Sequence, residues 1–575
     1  MPVLSRPLAL SWVPIAAVSS ALLTAGAATV CTAAPQPVRC GGADEPATTI
    51  AHPWLVRRSV VSHDAAPAAS PTTPFRVAVI GSGMGGAAAA YFVRQEVHKL
   101  VQARSRSAAR AGGNAPLFPS LTVLHGRAPH PGPQVAPSLH IDVYERRNRV
   151  GGRVNSIDVG GDVIEAGASI AVDENRYLKS FAAEAGIEVQ PPVGGRLAIW
   201  DGDAFVYEQG PWSFLNTLAL LWRYNVSLVR LSSHVDSAVT AFGKLYALQE
   251  SGRAFRTATD LYKEVGLYDL TQVSLLQYLQ SSGACTADSP VFHELVNGVV
   301  RVNYNQDADR ITALAGLVGL APLTGGKVWQ TKDGSNKSIV AHLLKRSGAD
   351  VRTNTAVDHV WRRDDGMWVV SHVVGGVEQR QQVYDRVILA APARLSQVKV
   401  YNGAVADENK LSFPDGRSDP YMTTVATFVR GKLRRQYFHR ASGDEQVPDF
   451  VLSKAGNHDF TSIGLQVRGA ASDGSDNVYK VFSKQRLSPE TLDELFSQRS
   501  MTKRVSWVAY PEFQPPESFD VPFDVVPNQV FYVHALERGA SAMEVIAIGG
   551  RNVALLLAHG MSEEEIQRSK LETRQ

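Results

Sequence analysis

The stretch that decides the fold reads Phe75-Arg-Val-Ala-Val-Ile-Gly-Ser-Gly-Met-Gly-Gly-Ala-Ala-Ala-Ala90. An apolar run leads directly into Gly81-x-Gly83-x-x-Gly86, and an Ala-rich helical pattern follows at once. This order of strand, glycines and helix is the fingerprint of a dinucleotide-binding unit. The first glycine permits a tight turn, the second lets the backbone approach a pyrophosphate, and the third lets helix and strand pack closely. We expect Ser82 and the N–H groups of the helix N-terminus to face the phosphates.

The second strand of this unit is predicted at Ile141-Asp-Val-Tyr-Glu145, which ends in a carboxylate suited to a ribose hydroxyl. Glu145 lies much farther from the glycines than the usual ~20 residues of the fingerprint. The excess is the segment 103–138, which is rich in Pro, Gly, Ala, Ser and Arg and has no sustained apolar periodicity. We predict a surface insertion there, with a basic arm for acidic membrane lipid as the alternative.

The residues after Glu145 narrow the nucleotide. Gly151-Gly-Arg153 follows directly, and Gly161 to Ser169 gives a strand and a second small-residue turn. This order resembles the glutathione-reductase-like FAD proteins of the amine oxidase type, in which Gly-Gly-Arg passes beside the flavin pyrophosphate. The resemblance implies an α/β fold, with a glutathione-reductase-like FAD-binding Rossmann domain and an α+β substrate domain of the amine oxidase type. It favours FAD over NAD, although Arg153 could instead be a surface charge.

Composition excludes some classes of function. The 575 residues suffice for two or three domains, and 44% hydrophobic and 20% charged residues are ordinary for a globular protein. The net charge of +3 includes five cations and no acid between Val97 and Ile141. The rest of the chain is therefore slightly acidic, which does not support binding of nucleic acid. No Cys-x-x-Cys or His-rich cluster occurs, so no metal site is predicted.

The N-terminus carries a targeting pattern. Arg6 precedes a long apolar run, Leu8 to Leu23, which is followed by small residues. We predict a secretory signal peptide at 1–34, with an uncleaved signal anchor as the alternative. The Pro-, Ala-, Ser- and Thr-rich segment 35–74 is predicted to be a disordered linker.

The secretory context bears on cysteines and glycans. Cys31 would leave with the signal peptide, so either a Cys40–Cys285 disulfide forms or both thiols stay unpaired. Asn225-Val-Ser and Asn336-Lys-Ser are glycosylation sequons that this context makes usable.

The rest of the chain is predicted to alternate between two domains. Apolar patterns and small-residue turns assign parts of the FAD-binding domain to 75–200, 331–399 and 506–575. Parts of the substrate domain are predicted at 201–330 and 400–505.

A more specific resemblance covers the chain from about Phe75 to His559, which looks like prenylcysteine oxidase, called farnesylcysteine lyase in plants. Its more specific motifs are Arg301-Val-Asn-Tyr304 and Ser541-Ala-Met-Glu544. Three other matching stretches occur in many FAD enzymes: Val77 to Gly86, Gly151 to Arg153 and Glu165 to Ile170. Trp222 to Tyr224 and Asn552 to Leu555 match as well.

The resemblance implies an FAD-dependent thioether oxidase of the secretory pathway, lysosomal in animals and endomembrane-associated in plants. Its substrate would be the farnesyl- or geranylgeranyl-cysteine left when prenylated proteins are degraded. The products would be cysteine, a prenyl aldehyde and hydrogen peroxide, with O2 as electron acceptor. The oxidised carbon is allylic and bonded to sulfur, so loss of hydride leaves a cation that both neighbours stabilise. No strong protein base is then required.

The resemblance also implies a cofactor site. The three fingerprint glycines would hold the FAD pyrophosphate, and Glu145 would bind the adenosine ribose. Gly152 and Arg153 would lie beside the diphosphate. Val357 would offer backbone contacts to adenine, and Met543 would approach the flavin.

The substrate end is less defined by sequence. Arg301 and Tyr304 are candidates for the polar cysteine end, with a structural ion pair as the alternative for Arg301. The chain from 211 to 250 has helical apolar spacing, which Arg223 interrupts, so a transmembrane helix is improbable. We hypothesise that four of its residues line an apolar tunnel, with core packing or a monotopic membrane contact as alternatives: Trp212, Phe214, Leu218 and Trp222.

Three other functions stay open. The chain could be a different flavin oxidase, such as an amine oxidase or a carotenoid-type desaturase. It could be a non-enzymatic prenyl carrier resembling Rab escort proteins and GDP-dissociation inhibitors, or a catalytically silent lipid-binding relative. The intact glycines, Glu145 and the export signal argue against a cytosolic carrier.

Overall fold

The computed structural model describes residues 74–110, 139–210, 213–323, 327–413, 420–440, 446–471 and 474–569. The predicted signal peptide, nearly all of the linker, most of the insertion, and the residues Cys31, Cys40 and Trp212 lie outside this part of the chain. Cys285 lies within it and is buried.

The first layer is a six-stranded sheet built around Phe75–Ile80. This strand is buried on both faces, as expected for a continuous apolar run in a parallel sheet. Val77 pairs in parallel with Ile141 on one side and Arg386 on the other, and only the last strand is antiparallel. In spatial order the strands are Asp350–Arg352, Leu139–Tyr144, Phe75–Ile80, Arg386–Leu389, Val530–Tyr532 and Asp524–Val526.

Helices cover this sheet. The first helix, Met84–Arg110, packs on the penultimate helix, Met543–His559. Gly550 allows the close approach, because a Cβ there would lie 2.9 Å from the Ala89 nitrogen. The first helix runs eight residues, 103–110, into the segment predicted as an insertion, because Ala and Arg favour helix and no Gly or Pro occurs in that segment before Gly112. The other helices of this domain are Arg176–Ala185, Lys337–Ser347, Ala393–Ser396 and Glu563–Arg568.

A four-stranded sheet follows on the nucleotide side. Three of its strands are antiparallel, and the fourth joins in parallel. In order they are Glu378–Tyr384, Trp368–Val374, Thr355–Arg362 and Lys399–Tyr401.

A seven-stranded sheet forms the second domain. It moves two predicted domain boundaries: Leu197–Trp200 belongs to this sheet although it was assigned to the FAD-binding part, and Phe496–Pro511 runs across the boundary at 505. Buried strands of either domain have the same apolar pattern, so only their pairing distinguishes them. In order the strands are Phe496–Pro511, Tyr421–Leu433, Val478–Ser483, Ser462–Val467, Phe450–Ser453, Leu197–Trp200 and Phe205–Glu208.

Helices flank the second domain. The long helix, Ser213–Glu250, bends at Asn225, where φ is 42° and ψ is −140°. No helix in the described part of the chain has the length and apolarity needed to cross a membrane. The others here are Ala258–Glu264, Leu275–Ser281, Val291–Val296, Asn297–Tyr304, Ala313–Leu320 and Pro489–Leu495. Two small sheets connect the domains, formed by Ser156–Val159 with Asp162–Glu165, and by Ala171–Val172, Val328–Thr331 and Val189–Gln190.

Candidate functional site

A cavity of about 1710 Å³ runs from the six-stranded sheet to the inner face of the seven-stranded sheet. Ligand pockets usually measure about 300–1000 Å³, so this one has room for a cofactor and a substrate together. It brings together most of the predicted site residues: Gly81, Ser82, Gly83, Glu145, Gly152, Arg153, Tyr304, Val357 and Met543.

Glycine is explained by a different feature of the structure at each of the three fingerprint positions. Gly81 has φ +111°, and its N–H donates to the Tyr144 carbonyl at 2.8 Å. A Cβ on Gly86 would lie 1.8 Å from the Gly81 oxygen, so both positions are fixed by the fold. A Cβ on Gly83 would meet nothing closer than the Gly151 oxygen at 3.7 Å. A methyl group at Gly83 would therefore make only ordinary contacts with the protein, so the fold itself does not require glycine there. Because Gly83 lines the cavity, we infer that a ligand approaches its backbone.

Hydrogen bonds hold the carboxylate of Glu145 in place and leave it able to accept one more. One carboxylate oxygen accepts from the Ser82 N–H at 3.2 Å and the Ser82 hydroxyl at 2.7 Å. The other accepts from the Arg147 N–H at 2.9 Å. An ionised carboxylate offers about four lone-pair positions. The remaining one suits the ribose hydroxyl assigned to this residue.

Arg153 belongs to a buried polar network and is not a free surface charge. Its guanidinium lies 2.5 Å from Glu537 and donates to the Ala509 carbonyl at 2.6 Å. Glu537 also accepts from Ser541 and interacts with His534, each at 2.9 Å. Burial alone would raise the pKa of Glu537, but Arg153 and His534 hold it well below its usual range. The network ties the Gly-Gly-Arg turn to the segment from His534 to Ser541, which leads into the penultimate helix.

The penultimate helix begins at the cavity wall. Ser541, Ala542 and Met543 line the cavity, and Ala542 caps the helix with extended backbone and no side-chain hydrogen bond. The first N–H groups of a helix lack intrahelical acceptors and carry a partial positive charge. This end therefore suits the negatively polarised part of a flavin or its phosphate chain. The residues present fit a dinucleotide with a flavin ring.

The two residues predicted for the substrate's polar end separate in the structure. Tyr304 lines the cavity, where its ring packs edge-on to Tyr510 and Phe513 with centroids 5.3 and 5.1 Å away. Arg301 is not among the lining residues. It is 2% exposed, pairs with Asp307 at 3.2 Å and donates to a backbone carbonyl. This geometry supports the alternative of a structural ion pair.

The apolar half of the cavity is built by different residues from those expected. Leu218 and Trp222 are 45% and 89% exposed, and neither lines the cavity. The side chain of Phe214 lies outside the described residues, as does Trp212. Helical periodicity identifies an apolar face of a helix but does not identify the element that packs against that face. The lining comes from later turns of the long helix and from neighbouring elements, and includes Val239, Phe242, Val302, Val318, Phe450, Leu452, Ile463 and Leu465.

Two further residues differ from the sequence-based expectations. Asn336, a predicted glycan acceptor, is 2% exposed, and its amide donates to the Ala168 carbonyl at 2.5 Å. A sequon reports nothing about burial, and this one is inaccessible in the folded protein. Lys480 was not predicted at all, yet it lines the cavity and is 6% exposed. A lysine within the apolar run Val478 to Ser483 was the available signal.

Comparison with known proteins agrees with this geometry. The family model for prenylcysteine lyase matches residues 207–569, and that for an NAD(P)-binding Rossmann-like domain matches 134–185. The farnesylcysteine lyase of Arabidopsis thaliana is 30% identical, over 86% of this chain and 91% of that protein. Prenylcysteine oxidase 1 of Homo sapiens is 28% identical, over 88% of this chain and 93% of that protein.

Solved structures support the predicted fold class. The cyclohexylamine oxidase of Brevibacterium oxydans matches with a TM-score of 0.51 at 14% identity, over 84% of this chain and 99% of that one. A fatty acid isomerase of P. acnes matches with a TM-score of 0.50 at 14% identity, over 84% of this chain and 99% of that one. The expected Rossmann domain and substrate domain of the amine oxidase type are thereby confirmed. The chain belongs to the prenylcysteine lyase family.

Proposed function

We propose that this protein is an FAD-dependent prenylcysteine oxidase. It would cleave the thioether of farnesyl- or geranylgeranyl-cysteine with O2 and water, giving cysteine, a prenyl aldehyde and hydrogen peroxide. The observation that carries this proposal is one continuous cavity with a dinucleotide site at one end and an apolar wall at the other. The names of the relatives, farnesylcysteine lyase and prenylcysteine oxidase 1, support the same substrate class.

The protein's part in this reaction is to orient the substrate against the cofactor and to exclude competing chemistry. Bound FAD supplies the two-electron acceptor for the carbon next to sulfur. Gly83, Glu145 and the start of the penultimate helix hold the cofactor's polar parts. The apolar wall binds the isoprenoid, to which each buried CH2 contributes about 0.8 kcal/mol. Because the carbon loses hydride without a strong base, the absence of an acid–base pair among the predicted residues is compatible with this chemistry.

Narrowing the apolar part of the cavity should weaken binding of geranylgeranylcysteine, which has the longer isoprenoid. Val302 is half-buried and lines the cavity from the helix Asn297–Tyr304. We expect Val302→Trp to raise the KM for geranylgeranylcysteine about tenfold or more, since the indole would occupy space for several CH2 groups. Steady-state kinetics with farnesyl- and geranylgeranyl-cysteine measure this effect.

The matched control is Val377→Trp, which adds the same ring at a position 89% exposed and outside the cavity. Both variants should retain the FAD content of the wild type. Equal kinetics in all three proteins would remove Val302 from the substrate path.

We propose further that the protein acts in the secretory pathway, in a lysosome or in a vacuole or another endomembrane compartment. The N-terminal targeting pattern supports this location. Asn225, the remaining sequon, is exposed at the bend of the long helix, which is compatible with glycosylation.

A peripheral membrane contact is also proposed, through the exposed face of the long helix. Four apolar side chains, two before and two after the bend at Asn225, stand 45–89% exposed: Leu218, Trp222, Val226 and Val229. Beside them, Arg223 is held by Glu294 at 2.7 Å, so it does not extend freely from this face. Tryptophan favours the interface between lipid and water. A lipid surface would also be the source of an isoprenoid substrate.

Removing the exposed indole should weaken this contact. We expect Trp222→Ser to lower partitioning onto phosphatidylcholine–phosphatidylserine vesicles about tenfold, because burial of a large apolar side chain contributes about 1.5–3 kcal/mol. Vesicle sedimentation measures the partitioning. Val377→Ser, at another highly exposed apolar position, is the control and should partition like the wild type. Identical partitioning of Trp222→Ser and wild type would contradict a contact through this face.

A further inference from the structure

Lys480 places a buried positive charge in the cavity wall. It lies within the strand Val478–Ser483 and is 6% exposed. Its ammonium donates to the Ser169 hydroxyl at 2.6 Å and to the Glu165 carbonyl at 3.2 Å. The ring of Phe482, which also lines the cavity, has its centroid 5.1 Å from the nitrogen. The cation therefore lies between the turn after Glu165 and the apolar wall.

The protein does not fully neutralise the positive charge of Lys480. In the described part of the chain, no carboxylate oxygen lies within 4.0 Å of its nitrogen. The acid that acts on it most is Glu165, whose side chain accepts instead from the Asn336 N–H at 2.6 Å. Burial raises the pKa of Glu165 to about 7, so its negative charge is only partial near neutral pH. Burial also lowers the pKa of Lys480 to about 8, which Glu165 opposes.

A neighbouring lysine shows what an ordinary position in this sheet looks like. Lys480 and Lys503 flank Phe428 in the same rung, one on each adjacent strand. Lys503 is half-buried and lies outside the cavity lining. Its ammonium donates to the backbone carbonyl and to the side-chain carboxylate of Asp158. Of these two lysines, only Lys480 is buried and lacks a carboxylate partner. A buried charge of that kind is costly unless a ligand completes its environment.

The other cations that line the cavity serve different regions. Four arginines follow Glu145 closely in the sequence and line the cavity on the nucleotide side: Arg146, Arg147, Arg149 and Arg153. Arg176 and Lys244 are exposed. Lys480 alone is a buried lysine of the substrate-domain sheet within this lining. Prenylcysteine carries one anionic group, its α-carboxylate, and an isoprenoid that the neighbouring apolar residues can accept.

We propose that Lys480 binds the α-carboxylate of the substrate and so positions the thioether relative to the cofactor. This assignment rests on the proposed function and adds to it a residue for the polar end. It replaces Arg301, whose guanidinium is engaged outside the cavity lining. A hydrogen bond between ionised groups commonly changes affinity by about 10- to 100-fold.

The test compares farnesylcysteine with its methyl ester, which keeps the thioether and the isoprenoid but lacks the anion. We expect the wild type to show a KM about 10- to 100-fold lower for the acid, with similar kcat for both compounds. Lys480→Met should raise the KM for the acid to that for the ester and leave the ester unaffected. Lys480→Arg should retain most of the preference, and Lys503→Met should retain all of it.

The outcomes separate this assignment from the proposed function. If the wild type oxidises both compounds with equal KM, or if Lys480→Met keeps the preference for the acid, Lys480 does not bind the carboxylate and the oxidase function stands. The wild-type comparison decides the matter even if Lys480→Met fails to fold. A yellow wild-type protein that oxidises neither compound would overturn the proposed function, and this assignment with it.

Discussion

Gly86→Ala is expected to prevent stable folding. The added Cβ would lie 1.8 Å from the Gly81 carbonyl oxygen and 3.3 Å from the Ala390 side chain. A backbone carbonyl in a tight turn cannot move aside without breaking the contact between the first strand and the first helix. We expect a loss of at least about 4 kcal/mol from a total that is ~5–15 kcal/mol for a typical domain. Thermal unfolding and the yield of soluble protein measure this loss.

Gly83→Ala is the matched variant with the opposite expectation. Its Cβ would have 3.7 Å to the nearest protein atom, and its φ requires no glycine, so the cofactor-free protein should unfold within about 1 kcal/mol of the wild type. The methyl group would occupy the space reserved for the pyrophosphate. We therefore expect FAD affinity to fall at least about 100-fold, close to 3 kcal/mol. A Gly83→Ala protein with full FAD content would contradict the assignment of this turn to the phosphates.

The second large effect is expected at Glu537, which is 1% exposed and holds Arg153 and His534. Glu537→Ala would leave the arginine without its carboxylate, and removing one partner of such a pair typically costs about 3–5 kcal/mol. We expect a correspondingly lower melting temperature and weaker FAD retention. Asp407→Ala, which changes a carboxylate in an exposed turn, is the control and should leave both unchanged.

The pH dependence of Glu537 has a defined sign. Because its pKa is lower in the folded protein than in the unfolded chain, its stabilising contribution is complete above the ordinary value of about 4.3 and is lost as the pH falls below it. Glu537→Gln should therefore be less stable than the wild type at pH 7, and the gap should narrow towards pH 3. Denaturant unfolding at the two values measures the difference. A gap that widens on acidification would contradict the ion-pair network.

Local patterns in the sequence predict the nucleotide side well. The turn at Gly81, the helix contact at Gly86 and the carboxylate of Glu145 all follow from residues adjacent to a strand end, and the structure shows this local geometry, while their cofactor-binding roles stay predictions. Their roles depend on short-range geometry that the fingerprint encodes directly. The same holds for the cavity-facing start of the helix at Met543.

The substrate side depends on contacts between distant segments, which local patterns do not report. The apolar spacing of Leu218 and Trp222 predicts a helix face but not that it faces outward. The motif around Arg301 marks family membership, while the ion pair with Asp307 becomes visible only in three dimensions. Lys480 meets Ser169 across more than 300 residues, so its position required the folded sheet.

The account as a whole is tested most directly by an anaerobic titration of the purified protein with farnesylcysteine, followed through the visible absorbance of the flavin. We predict a yellow protein whose flavin band is bleached by about one equivalent of substrate, with release of cysteine and farnesal, and whose colour returns on admission of O2 with formation of hydrogen peroxide. A folded protein that is colourless and cannot be loaded with FAD, or a yellow protein that farnesylcysteine does not bleach, would contradict the central claim.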